Sequence, residues 1–218
     1  MKKGPFFWLG MAAIIVVAFD IFANFGDWTE LLWFCTVTTS LLAYSLFKKS
    51  ALGLSVCLIL AVPAQSPWVV DFLLEMAGFG MGRTAMLESC GPLIFWGSVI
   101  IHTFVIPVSF WGVWHLGFDR RSLGWAMLYG AALLAASYWM TPPYKNVNCV
   151  FFHCDANDPG GGYWQYFLTR SIFLWAMIVP VSYGVFRFVF RNKIVDSAVK
   201  GESINERTCL APSEIPIN

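Results

Sequence analysis

The stretch LLWFCTVTTSLLAYSLF, Leu31 to Phe47, sets Cys35, Thr36, Thr38, Thr39 and Ser40 within six consecutive positions of an otherwise apolar run. Cys35, Thr38 and Thr39 are spaced i, i+3, i+4, so on a helix they share one face. Ser98 and His102 have the same i, i+4 relation further along the chain. A hydroxyl or thiol becomes a useful nucleophile near neutral pH when a base sits beside it. Histidine is the usual base. Cys35 or Thr39 facing His102 would therefore make a two-residue acyl-transfer site. Gln65, or the amides around Pro63 to Pro67, would help stabilise an oxyanion. The plain alternative is packing: Ser and Thr in membrane helices commonly bond the carbonyl four residues back or ease helix contact.

The elements that must position these groups are membrane spans. Of 218 residues, 58% are hydrophobic and 12% charged, about half the charge of a soluble domain, and mean hydropathy is +0.64. A spanning helix needs about 20 mostly apolar residues. Six segments qualify: Phe6–Phe25, Glu30–Phe47, Ala51–Leu74, Pro92–Trp114, Ser122–Met140 and Trp164–Phe190. The basic start MKKG resembles a signal peptide, but the apolar run is long and no small-x-small cleavage site follows, so it reads as an uncleaved first span. Lys2, Lys3, Lys48, Lys49, Arg120, Arg121, Arg187, Arg191 and Lys193 flank alternate ends of the spans. The other ends have Arg83, Lys145 and Arg170 with Asp27, Glu30, Asp155 and Asp158. The positive-inside rule then puts both termini in the cytoplasm. The expected fold is an all-α bundle of six transmembrane helices over residues 1–192, in a bacterial cytoplasmic membrane. A polar, disordered cytoplasmic tail follows over 193–218. The net charge of +1 gives no reason to expect nucleic acid as a partner. Membrane lipids are the expected partners.

The topology converts position into depth. At 1.5 Å per residue, Cys35 lies about 8 Å and Thr39 about 14 Å below the outer end of the second span, and His102 about 15 Å along the fourth. Asp20, Gln65 and Asp71 also fall in the outer half. An ionisable group inside the membrane is costly unless paired or facing a cavity, so His102 and Asp20 are candidates for function. Asp20, Thr38, Gln65, Ser98 and Asn148 are the expected substrate-binding residues. The outer loop TPPYKNVNCVFFHC would cap the polar region, with Asn146 and Asn148 supplying hydrogen bonds. Pro63 and Pro67 suggest that the third span ends as a broken helix.

No cofactor or metal is expected. GFGMGR lacks the Lys-Ser/Thr of a phosphate loop and has no strand before it. Cys149, His153 and Cys154 would supply three metal ligands with nothing nearby to complete a site. A haem would need a second deep histidine. Cys90, Cys149 and Cys154 fall outside, where disulfides form, and their connectivity does not follow from spacing.

The patterns LLWFCTVTT on an early span and FWGSVIIHTFVIPV two spans later resemble the androgen-induced-protein family of multi-span membrane hydrolases. The Trp33-x-Cys35 version also resembles bacterial YwaF-like integral membrane proteins and their eukaryotic acyltransferase relatives. HLGFDRR and YKNVNCVF resemble bacterial membrane proteins of unknown function. The likeness runs from Trp28 to Phe152. It implies cleavage or transfer of fatty acyl esters, with His102 as base and Cys35 or Thr39 as nucleophile. The other reading is a non-enzymatic membrane protein that binds lipid or a partner, or carries a small solute. Asp20, Gln65 and His102 would then line a pathway or form a structural network. The absence of repeats or inverted duplication weighs against a secondary transporter.

Overall fold

A computed structural model describes residues 4–79, 91–152 and 162–195. Arg83, Cys90, His153, Cys154, Asp155, Asp158 and the tail from residue 196 lie outside the described residues. The described residues are mainly helical, with one pair of two-residue strands among them. Its long helices are α1 (Pro5–Ala23), α2 (Phe34–Lys48), α3 (Ala51–Met76), α4 (Pro92–Leu116), α5 (Ser122–Met140) and α6 (Tyr163–Val189). All of these except α2 are long and apolar enough to cross a membrane. The helices alternate in direction. One end of the bundle, the turn end, holds Gly4, the α2–α3 and α4–α5 turns and the segment after α6. The opposite, loop end holds the Asp27–Lys145 pair and the contacts of Asn148 with Leu32 and Phe34.

Local chemistry sets the helix limits. Pro5 and Pro92 sit in the first turns of α1 and α4, where a missing N–H costs nothing. At the α2–α3 turn, Lys49 adopts a left-handed conformation (φ 49°, ψ 46°) and Ser50 N donates to the Ser45 carbonyl. The Ser50 hydroxyl then accepts from Gly53 N at 3.1 Å, capping α3. A Cβ on Gly53 would stand 2.1 Å from Ser45 Oγ, so the two helices meet at backbone distance.

α3 is the most enclosed of the five long apolar helices and packs against α2, α4, α5 and α6. Leu54, Leu58, Ile59 and Leu60 of α3 join Leu42, Leu46, Val105, Val113, Phe118 and Phe190 in the main core. A second cluster, Phe34, Leu133, Leu134, Val150, Phe151 and Phe167, closes the loop end. Many large apolar side chains face outward, among them Trp8, Ile15, Phe22, Leu128, Phe173, Leu174 and Met177. A soluble monomer rarely exposes so much apolar surface; lipid contact accounts for it.

Two expectations change. The third span is not broken at its prolines: α3 continues through Pro63 and Pro67 to Met76. Each proline removes one backbone donor, which frees the Ile59 and Pro63 carbonyls, and a membrane helix tolerates this where its surroundings re-satisfy them. The second span does not begin as an α-helix at Glu30. A 3-10 turn covers Trp28–Leu32, the chain extends at Trp33 (φ −65°, ψ 141°), and α2 starts at Phe34. Its 15 residues rise about 22 Å.

At the turn end, Phe118–Asp119 pairs in parallel with Ile194–Val195. The start of the segment expected as a tail is therefore built into the fold. Asp119 is fully buried. Its carboxylate accepts from Arg121 Nε at 3.1 Å and Nη2 at 3.0 Å, and its N–H donates to Ser55 Oγ at 3.0 Å. Lys193 Nζ donates to the Trp114 carbonyl at 2.8 Å and sits 3.8 Å from the Trp114 ring centroid.

Candidate functional site

The start of α2 is held by residues distant in sequence. A helix leaves its first N–H groups without intrahelical partners, and Trp33 supplies no side-chain cap. Asn148 does so instead. Its Oδ1 accepts from Phe34 N at 2.8 Å, and its Nδ2 donates to the Leu32 carbonyl at 2.7 Å and to Ser137 Oγ at 2.8 Å. Asn146 is engaged in the same way within its loop, accepting from Phe151 N and Phe152 N and donating to the Phe152 carbonyl. Both residues are left-handed, Asn146 at φ 43° and Asn148 at φ 55°. Asparagine tolerates this conformation better than most residues. The loop thus turns its amides onto the protein's own backbone. Its Cys149 is disulfide-bonded, whereas Cys35 and Cys57 are free.

On the rim, Asp27 pairs with Lys145. Hydrogen bonds from Lys145 and then Thr29 hold the Asp27 carboxyl below the ordinary carboxylate value. The same bond from Asp27 raises Lys145.

Within the bundle, Asp20 and Cys35 come together through Thr36. Thr36 Oγ1 donates to Asp20 Oδ2 at 2.7 Å, and Cys35 Sγ lies 3.9 Å from Thr36 Oγ1. Because the Thr36 hydroxyl directs its proton at Asp20 Oδ2, its oxygen is left to accept from the thiol. Asn24 Nδ2 also donates to Asp20, to its carbonyl at 3.0 Å and to Oδ1 at 3.4 Å. The sequence reading singled out Asp20 and Cys35 but not Thr36; their matched depths on adjacent antiparallel spans were the available signal.

His102 lies elsewhere, on the α3–α4 contact. Its Nδ1 is 2.8 Å from the Ser98 carbonyl. A carbonyl only accepts, so Nδ1 carries the proton, and Nε2 of the neutral ring keeps a lone pair. The ring stacks on Trp68, with centroids 4.4 Å apart and planes at 19°. No hydrogen bond joins His102 to Cys35 or Thr39. Thr39 Oγ1 donates back to the Cys35 carbonyl at 2.6 Å, the ordinary behaviour of a threonine in a helix. Ser40, Ser45, Ser55, Thr103 and Ser137 do likewise.

Some buried polar groups depart from that pattern. Thr38 Oγ1, Ser109 Oγ and both polar atoms of Gln65 have no hydrogen-bond partner among the described residues. Gln65 is 1% exposed. Asp71, fully buried on the same helix, does have an interaction partner. Among the described residues, no three His, Cys, Asp or Glu side chains gather as a metal would need. Comparison with protein-family models, with curated proteins and with solved structures gives no match.

Proposed function

We propose that the chain is a multi-pass protein of a bacterial cytoplasmic membrane, with six spans and both termini cytoplasmic, and that its loop-end half binds a membrane lipid. In this reading α2, with the 3-10 turn before it, is the sixth crossing. The observation that carries the lipid reading is the buried amide of Gln65. Towards the turn end, Ser45 and Ser55 donate to their own helix. Towards the loop end, the Gln65 amide is buried without a partner among the described residues. A buried polar group without a hydrogen bond is costly, and a bound polar headgroup repays that cost. A through-pathway for a solute would need polar groups in series to the turn end; Ser45 and Ser55 there are bonded to their own helix, and Ser109 Oγ is a single hydroxyl without a partner among the described residues rather than a series.

A second reading is favoured by the His102 geometry. With Nδ1–H fixed on Ser98, Nε2 has the form a general base requires. On this reading the chain is an ester hydrolase or acyltransferase of the kind the family resemblance implies. His102 is the base and Cys35 or Thr39 the nucleophile, brought together when substrate binds.

One labelling experiment tests both. Purified protein is exposed to a diazirine-bearing phospholipid and, separately, to fluorophosphonate and thiol-directed lipid probes. The variants are His102→Ala, Cys35→Ala and Thr39→Ala. Photolabelling of the peptides around Gln65 and His102 is expected. Labelling confined to outward residues such as Trp8 and Phe173 would sink the lipid reading. Loss of the reactive label in His102→Ala together with one nucleophile variant would establish the enzyme. Labelling indifferent to His102 would remove the paired mechanism.

A further inference from the structure

We propose that Gln65 and His102 together bind the hydroxyl group of a membrane lipid at the α3–α4 face, beside the Trp68–His102 stack. The inference rests on the lipid reading above and names the chemistry that reading leaves open. Gln65 and Trp68 are three residues apart on α3 and so share a helix face. The Trp68 ring lies on His102 of α4. Gln65 is 1% exposed, and neither its Oε1 nor its Nε2 has a partner among the described residues. His102 presents Nε2, because Nδ1 is committed to the Ser98 carbonyl. The set therefore offers two acceptors, Gln65 Oε1 and His102 Nε2, and one donor group, the Gln65 amide N–H2.

Those groups discriminate among headgroups. A phosphate or carboxylate only accepts; it would satisfy the amide N–H2 but would set its negative charge against the His102 lone pair and the Gln65 oxygen. An ammonium only donates and leaves the amide N–H2 without an acceptor. A hydroxyl does both: its proton goes to His102 Nε2 or Gln65 Oε1, and its oxygen accepts from Gln65 Nε2. Trp68 and the apolar residues of α3 and α4 provide the surface for the attached acyl chains. A lipid with a free hydroxyl on its glycerol fits that description.

The full-length protein, delipidated in detergent, is titrated by native mass spectrometry with 1,2-dioleoylglycerol, with its 3-O-methyl ether, and with dioleoylphosphatidylcholine. Glycerol serves as a competitor. Losing the hydroxyl proton leaves a buried acceptor unanswered, so the alcohol is expected to bind about tenfold or more tightly than the ether. Gln65→Leu and His102→Phe are each expected to reduce the alcohol to the affinity of the ether. Gln65→Leu should also keep or raise Tm in the lipid-free protein, because it removes a buried amide that has no partner. A lower Tm with parallel loss of alcohol and ether would assign Gln65 to packing and overturn the inference. Equal binding of alcohol and ether by the wild type would overturn it while leaving the lipid reading intact. Absence of all lipid binding would overturn both. Displacement of the alcohol by glycerol would move the hydroxyl from a lipid to a soluble polyol and overturn the lipid source.

Discussion

Asn148→Leu is expected to destabilise the chain by about 3–5 kcal/mol, read as a large drop in Tm in detergent. Two groups lose their partner at once, the Phe34 N–H and the Leu32 carbonyl, and the Ser137 hydroxyl loses one donor while keeping its own bond to the Leu133 carbonyl. The Phe34 N–H belongs to the first turn of α2, where no other cap is present. In an apolar surrounding each orphaned group costs about 1–3 kcal/mol. The left-handed backbone at Asn148, φ 55°, adds about 1–2 kcal/mol for a leucine. Two companion variants separate these terms. Asn148→Gly keeps the backbone conformation and loses all three bonds, so it should be less damaging than leucine by the backbone cost. Asn148→Asp keeps the acceptor for Phe34 N and loses both donors, so it should fall between wild type and glycine. A cycle with Ser137→Ala should be less than additive, because the two residues share one bond. A leucine variant as stable as wild type would show that α2 does not depend on this cap.

The same residue shows what was legible in the sequence and what was not. An Asn in a polar outer loop reads as a ligand contact because nothing local to YKNVNCVF shows where its amide points. Its partners are 116, 114 and 11 positions away, and only the assembled loop brings them into range. The long apolar helices were legible because burial in lipid demands length and apolarity over one continuous segment. Pro63 and Pro67 misled for a related reason: a membrane helix continues through proline where its surroundings satisfy the freed carbonyls, and α3 runs through both. Position along a helix axis follows from the fixed rise per residue. The direction in which a side chain points around the helix axis does not. Thr39 reads at the depth of His102 and Cys35 roughly 7 Å shallower, yet Cys35 turns to Thr36 and Asp20 of α1, while His102 turns to Trp68 of α3. Asp20 and Thr36 could have been paired from matched depth on neighbouring spans. The stack of Trp68 on His102 had no such signal, because tryptophan is frequent throughout the chain.

Gly117→Ala is expected to release the segment after α6 and to accelerate tryptic cleavage after Arg191 and Lys193 by at least about tenfold. Gly117 adopts φ 93° and ψ 165°, a region essentially closed to any residue with a Cβ, costing about 1–3 kcal/mol. The added carbon would also stand 2.6 Å from the Lys193 carbonyl oxygen and 2.7 Å from Val195 Cγ1. The first contact is with backbone, so no rotamer change relieves it. The way out is for Lys193–Val195 to leave, taking with it the pairing to Phe118–Asp119 and the seat of Lys193 on Trp114. The damage should remain local. Asp119 still holds Arg121 and Ser55 from within the turn, and Leu42, Leu54 and Val113 pack without the strand pair. Tm should therefore fall less than for Asn148→Leu even though cleavage rises sharply. Gly124→Ala is the matched control: nothing lies within 4 Å of its Cβ position, and alanine favours a helix over glycine by about 1 kcal/mol, so cleavage should stay at the wild-type rate. If Gly117→Ala is cleaved no faster than Gly124→Ala, the two-residue pairing does not restrain the segment, and Lys193 on Trp114 holds it alone.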